Sequence, residues 1–120
     1  MLWRVYQNEV DSVASKYDCR DHAKEAEMYH GTSDTPPIAI YKSEEGFDMR
    51  FSKAGMWGLA NYFAKNASYS NYYAFKDTTN GTRQLFCAKV LIGKASVLGP
   101  DQNLKRPPPI PGTYTMYDSV

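Results

Sequence analysis

Apolar residues recur at helical spacing along the first part of the chain. They stand three or four positions apart with mostly polar residues between them: Leu2, Tyr6, Val10, Val13 and Tyr17. This periodicity predicts an amphipathic helix over residues 2–17. Residues 27–30 are predicted to form a short strand that ends at Gly31, because a glycine allows the backbone to turn.

A second helix is predicted from Pro36 to about Gly46. Thr35 offers a capping hydroxyl just before two prolines, at a position where a missing N–H costs little. Three apolar side chains are expected to form the buried side of this helix: Ile38, Ile40 and Tyr41.

The next predicted elements are a strand over residues 58–64 and a short helix. Period-two alternation gives the strand one face with Leu59, Asn61 and Phe63 and another with Ala60, Tyr62 and Ala64. Tyr62 is then flanked by methyl-sized neighbours, which leaves space around its ring. Asn66 or Ser68 is expected to cap the helix, which carries Ser70, Tyr72 and Tyr73.

The strongest strand pattern of the chain covers residues 84–92 and follows a turn at Asn80-Gly81. Its apolar residues fall on both faces, which predicts a central strand covered on both sides. The proline-rich stretch 107–111 is expected to be an extended surface loop. No repeat or linker divides the chain, so we expect a single domain over residues 1–120.

Composition narrows the function classes. Fourteen Lys and Arg balance thirteen Asp and Glu, so the net charge of +1 gives no field that would attract nucleic acid or an anionic membrane. No apolar run is long enough to span a bilayer, and the first residues lack the pattern of a signal peptide. We therefore expect an intracellular protein, nuclear or cytoplasmic, with Cys19 and Cys87 as reduced thiols.

Several standard chemistries lack their residues. Cys19 and His22 have metal-ligand spacing, but with His30 and Cys87 they make a poor ligand set, so no metal site is expected. The chain has no nucleophile elbow, no P-loop and no Rossmann glycine fingerprint.

Two segments remain as candidates for a site. Residues 29–33 place a histidine at a strand end beside a glycine that lets a ligand approach the backbone. Ser70 and Tyr73 are three positions apart, so on a helix they share a side and could hold a planar amide by hydrogen bond and stacking. From the residues alone, a surface turn is the preferred explanation of the first segment. For the second segment, half-buried packing tyrosines explain the pattern about equally well.

Four motifs, in order, carry a resemblance to a known family: YHGTS, GFDMR, GMWGLANYFAKNASYSNYYAF and YDSV. Together they resemble the catalytic domain of the poly(ADP-ribose) polymerases, the diphtheria-toxin-like ADP-ribosyltransferases, over about residues 28–120. The amino-terminal LWRVYQ is similar to the helix that precedes this region in the family. The resemblance implies an α+β, ADP-ribosyltransferase-like fold: an amino-terminal helix and two small mixed or antiparallel sheets around an NAD cleft.

The resemblance also implies a role for individual residues. His30 would bind a ribose hydroxyl in the adenosine half of NAD, and the Gly31 backbone would hold the nicotinamide carboxamide. Tyr62 and Tyr73 would stack on opposite sides of the nicotinamide ring, and Ser70 would hydrogen-bond its carboxamide. His30 and Tyr62 are the implied catalytic residues.

Neighbouring residues are implied to contact NAD as well: Thr32, Phe63 and Ala64. Residues 51–54 match a short loop that lies over the donor site in the family. The implied reaction cleaves the nicotinamide–ribose bond through an oxocarbenium-like transition state and transfers ADP-ribose to a protein acceptor. NAD is the co-substrate, and no metal is implied. The alternatives are a non-catalytic module that binds NAD or ADP-ribose, and an aromatic-rich interaction domain.

The match departs from the family pattern in two places. The family strand usually reads G-x-G before YFA, whereas this chain has Gly58-Leu59-Ala60, and the extra methyl could narrow the pocket. The third catalytic position of the family follows the YDSV motif, which here is the end of the sequence at Val120. We therefore expect a fragment without the final strands, and mono- and poly-ADP-ribosylation remain open.

Overall fold

A computed structural model describes residues 2–17, 23–47 and 52–120 of the chain. The described residues form two compact units, each built from separate stretches of sequence. Unit 1 contains residues 1–26, 52–60 and 91–120, and unit 2 contains residues 27–51 and 61–90. The fold is α+β with small antiparallel sheets, as the sequence predicts for the class.

Short helices and strands alternate along the chain. The helices are α1 (Leu2–Lys16), α2 (Pro37–Tyr41), α3 (Ala67–Ser70) and a 3-10 turn over Asn71–Tyr73. The strands are β1 (Glu25–His30), β2 (Lys53–Gly55), β3 (Gly58–Ala60), β4 (Phe75–Lys76), β5 (Arg83–Gln84) and β6 (Phe86–Leu91). Within the described ranges, no helix has the length and apolar content needed to cross a membrane.

Helix α1 confirms the amphipathic prediction to within one residue and supplies the core of unit 1. Val10 and Val13 are buried together with Ala23. Side chains of α1, of the residue that follows it and of β6 pack against this cluster: Tyr6, Ala14, Tyr17 and Leu91. Trp3 and Val5, in contrast, remain about 60% exposed. The apolar periodicity therefore identifies the buried stripe, since Val10 and Val13 lie one turn apart.

The strands pair in three two-stranded sheets among the described residues, where two sheets were expected. β1 pairs with β6, and the β2–β3 and β4–β5 pairs are antiparallel hairpins. The turn at Asn80-Gly81 that joins β4 to β5 is confirmed, with Gly81 at a φ of 71°. Two of the three sheets are therefore local hairpins, whereas the β1–β6 pair joins distant parts of the sequence.

The predicted strand over residues 58–64 is shorter in the structure. β3 ends at Ala60, because its hairpin partner β2 supplies only three residues. The following segment then makes contacts of another kind, and Ala64 forms an isolated antiparallel bridge with Tyr29. The alternation expected across this segment is therefore wrong beyond Ala60. Residues 52–54 lead into and begin β2, and Phe51 lies outside the described residues.

The predictions for two other elements, the second helix and the strand over residues 84–92, are also wrong in part. The amino-terminal cap of α2 is Pro36, without a side-chain cap hydrogen bond, and the helix already ends at Tyr41. Its buried residues are Pro37 and Ile40, while Ile38 and Tyr41 are exposed. The predicted strand over 84–92 is divided into β5 and β6.

The face of β6 that carries Cys87 and Lys89 is exposed. This strand is therefore not covered on both faces, and Phe86, Ala88 and Val90 on its other face are partly buried. Cys87 is a free thiol, and Cys19 lies outside the described residues.

The carboxyl-terminal segment of unit 1 is anchored at one carboxylate. Asp118 accepts hydrogen bonds from Lys16 Nζ at 2.6 Å and from the Tyr17 hydroxyl at 2.5 Å, both at the end of α1. It also accepts one from the Lys94 N–H at 2.8 Å. Gly93 has a φ of 61°, and a Cβ there would lie 2.5 Å from Asp118 Cβ. A larger residue at position 93 would therefore displace this carboxylate.

Candidate active site

The end of β1 is the centre of the candidate site in unit 2. Tyr29 and Ala64 exchange two backbone hydrogen bonds, of 2.8 Å and 2.9 Å. This bridge places the Tyr62–Ala64 segment beside the YHGTS motif, although the two are more than thirty positions apart in sequence. Two motifs that the sequence analysis singled out are thus adjacent in the structure.

Ser70 joins the third segment to the same strand end. Its side chain is buried, with 4% of its surface exposed, and its Oγ donates a hydrogen bond to the Tyr29 carbonyl at 3.1 Å. Helix α3 begins after Asn66, as predicted, although Asn66 makes no side-chain cap hydrogen bond. Since the Ser70 proton is committed to Tyr29, its oxygen can act only as an acceptor toward a ligand.

Gly31 lies directly against the Ser70–Tyr73 backbone. A Cβ at this position would be 2.5 Å from the Tyr73 carbonyl carbon and oxygen, and 2.7 Å from the Ser70 carbonyl oxygen. The Ser33 N–H donates a hydrogen bond of 2.7 Å to the same Tyr73 carbonyl. Glycine is thus required at position 31 because two backbones pack closely there. The sequence had suggested a different reason, the approach of a ligand to the backbone.

His30 points its Nδ1 at the Tyr62 carbonyl oxygen, at a distance of 2.5 Å. Its imidazole also packs against two phenylalanine rings, with centroid distances of 5.2 Å to Phe47 and 5.3 Å to Phe63. Phe47 belongs to the GFDMR motif, but sequence reasoning gave it no role. The sequence did offer one indication of a role for Phe47, since its motif is the next one after the motif that contains His30.

The two tyrosines predicted to stack on a ligand differ in what surrounds them. The Tyr73 side chain is half exposed, and its ring lies 5.7 Å from that of Tyr69. A hydrogen bond with Tyr73 raises the pKa of the Tyr69 hydroxyl above its usual value. Tyr62 is partly buried, and its carbonyl accepts the His30 hydrogen bond.

Thr32 turns inward instead of toward the surface. It is 9% exposed, and its hydroxyl donates to the Thr35 carbonyl at 2.6 Å, while the Thr35 N–H donates back to the Thr32 carbonyl. In this structure Thr32 therefore closes the turn after the YHG sequence. Thr35, predicted as the cap of α2, belongs to the same turn.

All eight sequence-predicted site residues lie in unit 2: His30, Gly31, Thr32, Tyr62, Phe63, Ala64, Ser70 and Tyr73. A cavity of about 390 Å³ in the same unit is lined by none of them; it is formed by residues 33–34, 72, 74–76 and 78. Within the described part of the chain, no group of three or more His, Cys, Asp or Glu side chains could hold a metal ion. The Cys19–His22 pair lies outside the described residues.

Unit 2 is a small α+β unit with a histidine at a strand end, a closely packed glycine and a turn that carries a serine and a tyrosine. Comparison with known proteins gives the family to which the chain belongs. The family model "Poly(ADP-ribose) polymerase catalytic domain" matches residues 2–115. The chain belongs to the poly(ADP-ribose) polymerase catalytic domain family.

Individual relatives agree with this assignment. The chain is 37% identical over 97 residues to a probable poly(ADP-ribose) polymerase of Dictyostelium discoideum, over 79% of this chain and 29% of that protein. It is 34% identical over 121 residues to the protein mono-ADP-ribosyltransferase PARP12 of Homo sapiens, over 98% of this chain and 16% of the human protein. PARP12 of Mus musculus is 31% identical over the same length. The chain thus spans less than a third of each of these relatives.

Proposed function

We propose that this chain forms the NAD-binding part of an ADP-ribosyltransferase that transfers ADP-ribose from NAD to a protein acceptor and releases nicotinamide. The observation that carries the proposal is that two family motifs, YHGTS and GMWGLANYFAKNASYSNYYAF, meet at the end of β1. Tyr29, Gly31 and Ser33 each contact the Ala64 or Ser70–Tyr73 segment, which gathers the predicted ligand-binding residues in one unit.

The polar atoms at this strand end suit a nicotinamide carboxamide. A carboxamide has two N–H donors and one acceptor oxygen. The Ser70 oxygen, with its proton committed to Tyr29, would accept from the carboxamide NH₂ group. The Gly31 backbone, already packed against Ser70, would hold the same group from the glycine side.

Tyr62 and Tyr73 are proposed as the two rings that enclose the nicotinamide. Half of the Tyr73 side chain is exposed, so its ring has accessible surface on which a planar ligand could stack. Tyr62 lies next to the bridge residue Ala64, and its carbonyl bond to His30 ties it to the histidine that would bind the adenosine-side ribose. Thr32, Phe63 and Ala64 are proposed as further NAD contacts, because each lies directly beside one of these residues or of the YHG sequence.

The protein would contribute orientation above all. When bound, NAD supplies a ribosyl carbon with a positively charged nicotinamide as its leaving group. Residues of this chain would hold the leaving group and the ribose in fixed positions, which lowers the entropic part of the barrier. Tyr62 is the residue proposed to touch the reacting nicotinamide half of the ligand, and His30 would hold the adenosine half.

The test of this proposal is a transfer assay with labelled NAD, on the 120-residue chain and on the complete product of its natural gene. Tyr73→Ala should weaken NAD binding at least about tenfold, a loss of one stacking partner. Tyr72→Ala is the matched control, because Tyr72 is 84% exposed and its loss should leave binding unchanged.

Three outcomes of the assay are distinguishable. Label on protein that disappears in His30→Ala supports transfer. Stabilisation by NAD against thermal unfolding without any transfer supports a binding module instead. If the complete gene product shows neither label nor stabilisation, both functions are excluded.

A further inference from the structure

The imidazole of His30 packs against two aromatic rings and is also held by a hydrogen bond. The Phe47 ring contacts it edge-on, with an interplanar angle of 81°. The plane of the Phe63 ring is tilted by 46° from that of the imidazole. Phe47 in turn contacts Phe63 and Phe86 in near-perpendicular geometry, at centroid distances of 5.3 Å and 5.0 Å. Edge-to-face pairs favour particular ring orientations, so Phe47 is oriented by two further rings.

Phe47 is also held through its backbone. The Asn61 side-chain amide donates a hydrogen bond of 3.2 Å to the Phe47 carbonyl. Asn61 directly precedes Tyr62, whose own carbonyl lies 2.5 Å from His30 Nδ1. Residues 61–63 thus contribute three contacts around one imidazole: an amide to the Phe47 backbone, a carbonyl to His30 and the Phe63 ring.

The hydrogen bond to Tyr62 determines which ring nitrogen of His30 carries the proton. A carbonyl oxygen can only accept, so His30 Nδ1 must be the donor. In the neutral imidazole the other nitrogen, Nε2, then presents a lone pair. This arrangement persists only while the ring is kept from rotating about its side-chain bonds. Close packing against the Phe47 and Phe63 rings restricts such a rotation.

We propose that Phe47 and Asn61 are positioning residues that fix the rotamer and the Nδ1–H tautomer of His30. His30 then offers Nε2 as a hydrogen-bond acceptor, which selects a ligand that donates a hydroxyl proton at this point. The identity of that donor as a ribose hydroxyl of NAD rests on the function proposed above. The fixed tautomer does not, because it follows from contacts within unit 2.

Nitrogen NMR of the 120-residue chain tests the tautomer directly. Long-range ¹H–¹⁵N spectra distinguish a protonated from an unprotonated imidazole nitrogen, and the chain has only two histidines, so His30→Ala assigns the signals. Spectra at pH 8 should show His30 with Nδ1 protonated. In Phe47→Leu and Asn61→Asp the separation between the two nitrogen shifts should fall by roughly half as the tautomers mix.

Matched variants separate this effect from general destabilisation. Phe75→Leu makes the same change at another half-buried ring of unit 2, and Asn71→Asp makes the same change at an exposed asparagine. Both should leave the His30 nitrogen shifts as in the wild type. Phe47→Tyr keeps the ring and should retain the wild-type tautomer, which provides a test even if Phe47→Leu does not fold.

The two proposals fail in different ways. Unchanged His30 nitrogen shifts in folded Phe47→Leu and Asn61→Asp would overturn the positioning role, whatever the protein binds. Altered shifts together with an NAD dissociation constant about tenfold higher than in Phe75→Leu would support both proposals. Altered shifts in a chain whose wild type and complete gene product bind no NAD would support the positioning role and reject the proposed ligand.

Discussion

Gly31 shows how a single residue can be required for a reason that the sequence does not reveal. Its place after a histidine at a strand end suggested an open approach for a ligand. In the structure, the space where a side chain would stand is already filled by the Ser70 and Tyr73 carbonyl groups. Backbone atoms cannot move aside as the end of a flexible side chain can, so the site tolerates no Cβ.

Gly31→Ala is therefore expected to destabilise the chain by about 3 kcal/mol. Its Cβ would force the strand end away from the Ser70–Tyr73 turn and weaken the Ser33–Tyr73 hydrogen bond. Urea unfolding measures the change in the free energy of unfolding. Gly99→Ala is the control, because a Cβ at Gly99 meets nothing within 4 Å, and a loss for Gly99→Ala as large as that for Gly31→Ala would refute the packing argument.

Other single residues were predicted with mixed success, for a common reason. Ser70 and Tyr73 share a short helical segment as their spacing predicted, yet one is buried and the other is half exposed. Spacing fixes the direction of a side chain relative to its own helix. Burial depends on what packs against that helix, which here is Tyr29, 41 positions earlier in the sequence.

At the scale of elements, the end of α1 is connected to the carboxyl-terminal segment through Asp118. Burial of the Asp118 carboxyl opposes its ionisation, but hydrogen bonds from Lys16, Tyr17 and the Lys94 N–H outweigh burial and lower the pKa of Asp118 below its usual value. For Tyr17, burial and the hydrogen bond to Asp118 raise the pKa to about 12.

These shifts set the pH range in which the connection stabilises unit 1. The folded pKa of Asp118 is depressed, so its contribution is complete above the unfolded value of about 4 and is lost as the pH falls through the folded value. The folded pKa of Tyr17 is raised, so its contribution is complete below about pH 10 and is lost as the pH rises toward 12.

Asp118→Asn should lower the melting temperature at pH 7 by roughly 5 °C. It should also flatten the loss of stability below about pH 4, because the carboxylate that titrates there is gone. Thermal unfolding followed between pH 2 and pH 8 measures both effects. Asp101→Asn, at an exposed turn where an amide oxygen can replace the carboxylate, should change neither, and an equal effect of both substitutions would contradict this role.

The elements that sequence reasoning predicted well are those with local causes. The apolar periodicity of α1, the end of β1 before Gly31 and the turn at Asn80-Gly81 all follow from interactions within a few residues. The predicted length of the strand over residues 58–64 is wrong, because that length depends on β2, which offers only three residues for pairing. The predicted Thr35 cap of α2 is wrong, because the residue at the cap position is Pro36, which has no side-chain hydrogen-bonding group.

At the scale of the whole molecule, each unit is assembled from stretches that are separated in sequence. Unit 2 takes residues 27–51 and 61–90, and the hairpin between them belongs to unit 1. The predicted site residues lie in two clusters, 30–32 and 62–73, both in unit 2. Ligand binding should therefore slow amide hydrogen exchange in unit 2.

Hydrogen exchange with and without NAD should show this distribution. Amides of residues 29–33 and 62–73 should exchange more slowly with NAD, by at least about threefold. The Ile92 and Gly93 amides, which donate to the Lys24 and Ala23 carbonyls in unit 1, serve as the internal control and should be unaffected. Slower exchange confined to unit 1 would contradict the assignment of the ligand to unit 2.

The sequence alone determined the class of fold, the amphipathic first helix and, through four ordered motifs, the family. Those features rest on local periodicity and on residue identities that can be read without coordinates. Only the tertiary structure decided that Ser70 donates a hydrogen bond to Tyr29, that Gly31 packs against Tyr73 and that Phe47 packs against His30. These contacts join residues 17 to 42 positions apart, and the pattern of a chain does not specify which distant backbone atom a side chain will meet.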